Sequence, residues 1–159
     1  MGFASLTAAI DYPMVIVTVA ALDQRAGCLV GFSTQCSIEP RRYAVCLSKL
    51  NHTCRVAEGA GTMAVHFPSP RQRSLAELFA TETGDDVDKF SGCRWERGPG
   101  GTPLLVDCPT RLLGRVTDRI DVGDHVAYVL DVLEATAAGP PLTFLTFQQV
   151  RDLDPGHPV

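Results

Sequence analysis

The stretch Pro13-Met14-Val15-Ile16-Val17-Thr18-Val19-Ala20-Ala21-Leu22 runs without a charge, and Thr18 is its one polar side chain. Its β-branched residues favour extended backbone, and no polar stripe recurs at a helical period. It therefore predicts a strand covered on both faces. Asp23-Gln24-Arg25-Ala26-Gly27 has turn chemistry, so Cys28 to Ser37 should return as the second strand of a hairpin. Beyond the break at Glu39-Pro40-Arg41-Arg42, Tyr43 to Leu47 and Thr62 to Phe67 read as short strands. Leu112 to Ile120 and His125 to Ala135 are longer ones, joined by the hairpin turn Asp121-Val122-Gly123-Asp124. Helices are shorter. Phe3 to Ile10 is one, and Asn51 caps another over His52 to Glu58, closed by Gly59 and Gly61. Ser69-Pro70-Arg71-Gln72 is a capping box with proline at the first helical position, opening a helix that buries Leu75, Leu78 and Phe79 and stops near Ala80. Asp85 to Phe90 reads as a further short helical turn, and Arg97 to Gly101 as a loop. Six or so strands in consecutive hairpins, with three short helices, suggest a β-barrel with peripheral helices.

Length and composition bound the rest. The chain has 159 residues, 45% of them hydrophobic and 20% charged, a net charge of −4 and a pI near 5.5. Area scaling for 17.1 kDa gives roughly 69% of the unfolded surface buried, enough for a core without metal or disulfide support. The whole of 1–159 is expected to be one domain. The acidic balance argues against nucleic-acid and anionic-membrane partners. No apolar run approaches the ~20 residues of a membrane-spanning helix. No basic region precedes the first apolar stretch, and Leu6 breaks the myristoylation pattern. The six cysteines form no C-x-x-C pair and several lie in apolar runs, which suits free thiols in a reducing, cytoplasmic setting. No metal site is expected from them.

Three stretches carry polar chemistry beyond what a barrel needs. In Val30-Gly31-Phe32-Ser33-Thr34-Gln35-Cys36-Ser37, Gly31 permits close approach of a backbone or a flat ligand, and Ser33, Thr34 and Ser37 offer hydroxyls. The same pattern also fits a bulged edge strand with solvated hydroxyls. In Ser48-Lys49-Leu50-Asn51-His52-Thr53, a helix start, a lysine and three hydrogen-bonding side chains suit a phosphate, although they also fit an ordinary capped helix. In Gly123-Asp124-His125, the histidine either serves a ligand or closes the turn. No order of serine, cysteine, histidine and carboxylate marks a nucleophilic triad.

Taken together and in this order, these residues resemble the flavin reductase-like family of flavin-binding split barrels. Pro13 to Val19 is similar to the family's opening strand, and Gly27 to Pro40 to its glycine-to-proline segment, with Ser37 and Pro40 in matching places. Ser48-Lys49-x-Asn51-x-Thr53 follows where the family places its phosphate loop. Gln72, Phe79-Ala80, Lys89-Phe90, Gly101-x-Pro103-Leu104-Leu105, Gly123-Asp124-His125 and Pro141-Leu142-Thr143-Phe144 then continue at similar spacing. Departures are Leu29, Gly31 and Phe32 where threonine and serine are usual, Arg41 at the second proline, and Asn51 where serine is common. The resemblance implies a mainly β, six-stranded antiparallel split β-barrel of Greek-key type with short peripheral helices, working as a homodimer. It implies FMN or FAD, with the ring's polar edge against Val30, Gly31, Phe32, Ser33 and Thr34, the phosphate at Ser48, Lys49, Asn51 and Thr53, and Ser37 also among the cofactor-binding residues. It also implies NADH or NADPH as electron donor with His125 on the nicotinamide side, and reduced flavin passed to a monooxygenase. The flavin carries the redox chemistry, so the missing triad is expected. The other reading is a flavin-, deazaflavin- or haem-binding carrier or sensor without turnover.

Overall fold

The computed structural model describes residues 2–81 and 88–153. In chain order these give α1 (Phe3–Ala9), β1 (Val15–Ala21), β2 (Gln24–Val30), β3 (Ser33–Ser37), β4 (Arg42–Ser48), α2 (His52–Ala57) and β5 (Thr62–His66). There follow α3 (Arg73–Thr81), β6 (Trp95–Arg97), β7 (Pro103–Leu105), β8 (Arg111–Asp121), β9 (His125–Thr136) and α4 (Phe147–Val150). Single 3-10 turns occupy Pro70–Gln72, Lys89–Gly92 and Pro99–Gly101. The helical turn expected over Asp85 to Phe90 lies outside the described residues up to position 87, as does His157.

The molecule is mainly antiparallel β with few helices. Seven strands form one sheet in the order β2-β1-β5-β8-β9-β4-β3, and β6 and β7 form a two-stranded ribbon. The mainly antiparallel β character of the expected six-stranded split barrel is present, but among the described residues the strand count differs and the sheet is not closed. The sheet has seven strands, and its edges, β2 and β3, do not pair. The cause is local. The single strand expected over Cys28 to Ser37 breaks at Gly31 and Phe32, where the backbone leaves the ladder and Phe32 O accepts instead from Cys46 N at 2.8 Å. Bulges between Leu113 and Gly114 and between Val116 and Asp118 bend the β8–β9 ribbon. The main core lies on one face of the sheet: Val15, Val17, Val19, Val45, Leu47, Met63 and Leu130 form one buried cluster with Val56 and Ala57 of α2.

Where the sequence signal was chemical, local structure follows it. Asn51 Oδ1 accepts from Thr53 N at 2.9 Å and caps α2. The capping box closes, with Gln72 Oε1 accepting from Ser69 N at 2.8 Å, and Phe79 is buried with Leu75 and Leu78 beside it. The first hairpin turn is tighter than expected, since Ala21 faces Gln24 and only Leu22 and Asp23 turn. Leu22 adopts φ 54° and is fully exposed. A side chain in the left-handed region costs about 1–2 kcal/mol, less for asparagine, which bonds its own backbone there. Leu22→Asn should therefore raise stability by about 0.5–1 kcal/mol, read as a higher urea midpoint at unchanged slope.

Two buried polar side chains tie the sheet to its surroundings. His66 Nδ1–H donates to Ile16 O at 3.0 Å, while Nε2 accepts from Leu105 N at 3.1 Å, so one imidazole joins β1, β5 and β7. Lys89 Nζ donates to Gly27 O and to Phe79 O, both at 3.0 Å, and so holds the end of α3 against β2.

Candidate functional site

A cleft of about 320 Å³ opens where β2 ends, β4 ends and β9 begins. Val30, Gly31 and Phe32 form one wall at the break after β2, and Ser48, Asn51 and His125 another. Sheet order explains the meeting. Ser48, the last residue of β4, faces His125, the first of β9. Lys49 N donates to Asp124 O at 3.0 Å and closes the corner between the two segments.

His125 is the best-defined polar group. Its Nδ1–H donates to Asp124 Oδ1 at 2.7 Å, and its ring lies 5.1 Å from that of Phe32. The imidazole beside Asp124 holds that carboxyl below the usual range. Nε2 has no protein partner among the described residues, so a ligand can meet it. Phe32 is 55% exposed.

The other expected residues divide. Lys49 does not line the cleft: its Nζ pairs with Asp121 Oδ2 at 2.8 Å, and the ammonium lowers the Asp121 carboxyl from its ordinary value. Thr53 is buried behind Asn51 within α2. Ser33 Oγ lies 2.9 Å from Tyr43 Oη of β4, and Thr34 Oγ1 donates to Gln35 O; Ser33, Thr34 and Ser37 belong to edge strand β3, outside the cleft. The space expected above Gly31 is taken by a protein ring, because a Cβ there would stand 2.8 Å from Tyr12 Cε2.

The remaining walls escaped sequence reasoning. Tyr12 stacks on Phe147 with centroids 5.0 Å apart and planes 13° off parallel. Phe147 N donates to Tyr12 O at 2.9 Å, and Arg151 reaches the same cleft from the end of α4. One signal for α4 was present, since Thr146-Phe147-Gln148-Gln149 repeats the capping-box spacing of Ser69 to Gln72. Cys28 and Cys46 also line the cleft. Burial pushes the Cys28 thiol up to about 11 and raises Cys46, so both stay protonated and weakly nucleophilic near neutrality. Among the described residues no group of three or more histidine, cysteine or acidic side chains could hold a metal ion. The cleft therefore combines apolar and aromatic walls, the chain break at Gly31 and Phe32, and a few polar groups. A flat heteroaromatic ligand fits that donor set, and the volume is in the usual small-molecule range of about 300–1,000 Å³.

Comparison with known proteins points the same way. Residues 7–153 match the family model described as the flavin reductase like domain. A probable flavin reductase of Rhizobium meliloti is 29% identical over 117 residues, 71% of this chain, which spans only 37% of that relative's length. The reductase component of a 4-hydroxyphenylacetate 3-monooxygenase from Escherichia coli is 28% identical over 82% of this chain and 75% of its own. The crystal structure of the flavin reductase HpaC complexed with NADP+ superposes with a TM-score of 0.82, covering 92% of this chain and 91% of that one at 21% identity.

Proposed function

The chain belongs to the flavin reductase like domain family, and from that premise we propose that it reduces bound FMN, or FAD, with NADH or NADPH. The observation that carries this reading is the placement of His125 and Phe32 in one cleft with Ser48, Asn51 and the chain break at Gly31. When bound, the flavin would supply the chemistry by accepting a hydride from the reduced nicotinamide. The protein's share is placement. The main-chain groups of Gly31 and Phe32 that Cys46 N leaves unengaged would meet the polar edge of the ring, and the apolar walls would keep water from its face. His125, its Nδ1 held by Asp124, presents Nε2 to the nicotinamide side as a positioning hydrogen-bond partner. Ser48 and Asn51 serve the phosphate end, with Thr53 behind them and Lys49 exchanging Asp121 for the phosphate. Ser33, Thr34 and Ser37 support the wall from β3.

The exchange at Lys49 limits its effect. Because a half-exposed ion pair must open first, Lys49→Ala should weaken FMN binding by about 1–2 kcal/mol, with riboflavin unchanged. Titration of both flavins into apoprotein checks it, and equal losses would move Lys49 away from the phosphate.

We also read 1–159 as one domain acting as a homodimer. Exposed Phe3, Leu6 and Ile10 on one side of α1, and Ile120 and Val122 at the end of β8 and in the turn after it, support a second copy as their cover. The Escherichia coli relative supports a monooxygenase as recipient of the reduced flavin. Free thiols at all six cysteines suit the cytoplasm. No helix among the described residues is long and apolar enough to cross a membrane. The deciding experiment is anaerobic mixing of flavin-loaded protein with NADH or NADPH. Rapid loss of oxidised-flavin absorbance is expected. Flavin that stays bound and oxidised with both donors would make the protein a carrier instead.

A further inference from the structure

Arg151 follows Phe147 by four residues at the end of α4, so the two side chains share a face, and both line the cleft. Its Nη1 donates to Gln148 Oε1 at 2.8 Å, and no carboxylate among the described residues pairs with it. Two carboxylates bound to this stretch are already engaged. Asp152 accepts two bonds from Arg73 Nη2, each 3.1 Å, and Asp11 Oδ1 accepts from the backbone of Tyr12 and Gln148 at 3.0 Å. Arg73 also donates to Gln149 O, and Gln148 Nε2 donates to Ala8 O and Ile10 O. The backbone that carries Arg151 is thus anchored on two sides while its guanidinium keeps most of its donors. Among the described residues that line the cleft, it is the one lysine or arginine, since Lys49 points to Asp121. Beside it lies the stacked pair of Tyr12 and Phe147.

The geometry points to Arg151 as the residue that binds a nucleotide phosphate in this cleft, with the Tyr12–Phe147 pair as a stacking surface for the attached ring. This rests on the flavin and nicotinamide reading above and adds to it a cation that the motif around Lys49 does not supply. A guanidinium presents a planar fork that meets phosphate oxygens in a bidentate way, and Arg151 has the free donors to do so. Flavin mononucleotide and the nicotinamide dinucleotides share this chemistry.

The test compares wild type with Arg151→Gln on ligands that differ in phosphate. FMN and riboflavin are titrated into apoprotein, and NADH, NADPH and reduced nicotinamide riboside are used as donors to flavin-loaded protein. A lost charge-assisted contact should weaken the phosphate-bearing ligand by about 10- to 100-fold and spare its phosphate-free counterpart. A rise in Kd for FMN alone assigns the flavin phosphate, and a rise in KM for NADH and NADPH alone assigns the dinucleotide. A loss confined to NADPH assigns the phosphate that NADH lacks. Arg151→Lys should recover part of the loss, and the melting temperature should not move. Changes within about twofold for every ligand, or equal losses with and without phosphate, overturn the proposal. A wild-type protein that takes neither flavin nor nicotinamide removes the functional reading itself, and is seen before any variant is compared.

Discussion

Replacing His66 with alanine should destabilise the protein by about 3–5 kcal/mol, from a cavity plus an Ile16 carbonyl and a Leu105 amide left unpaired in the core. That is a large share of the roughly 5–15 kcal/mol that holds a typical domain together. The same residue sets an acid limit. Burial among apolar groups holds the folded-state His66 down at about 4, against 6.5 for the free side chain. Between those values the unfolded chain binds a proton that the folded one refuses. Stability is therefore fully present above pH 6.5 and falls as pH drops toward 4, by about 3 kcal/mol in all. Urea melts followed by the fluorescence of Trp95, which sits on the ribbon that carries Leu105, would read both effects. A variant with a wild-type midpoint and the same acid dependence would show that His66 holds nothing together.

Removing the imidazole of His125 should slow hydride transfer by about 10- to 100-fold, the cost of a lost positioning contact, while FMN binds nearly as before. The ring touches Phe32 and Asp124 on one side and has a free nitrogen on the other. Its loss thus removes a ligand contact without opening the core. Stopped-flow reduction of flavin-loaded His125→Ala measures it. An unchanged rate with a lowered melting temperature would assign the histidine to closing the turn instead.

Sequence reasoning went as far as short-range chemistry goes. The uncharged run before Leu22 is β1, Asn51 caps α2, and His125 opens β9, because propensity, capping and turn residues act within a few positions. The break between β2 and β3 was not legible, since it depends on a bond from Cys46 to Phe32 that only the folded sheet provides. Nor was the tight turn at Leu22, where leucine is an unfavoured occupant of its backbone region. At the cleft, Val30 to Phe32, Ser48, Asn51 and His125 were found because each motif lies in one stretch. Tyr12 and Arg151 were not found, because what places them is contact across nearly the whole chain. Lys49 was readable as a cation, but its partner Asp121 is 72 residues away.

That separation has a consequence for synthesis. Asp11 and Gln148 bond across 137 positions, and one flank of the cleft is made of the two segments they join. A ribosome must release almost all of this sequence before the aromatic pair can meet. A ligand held between those two segments therefore cannot template the early steps of folding, and its loading follows their meeting. A nascent chain stalled before α4 should already hold the β1–β2 hairpin, yet remain colourless in a flavin-rich translation mixture.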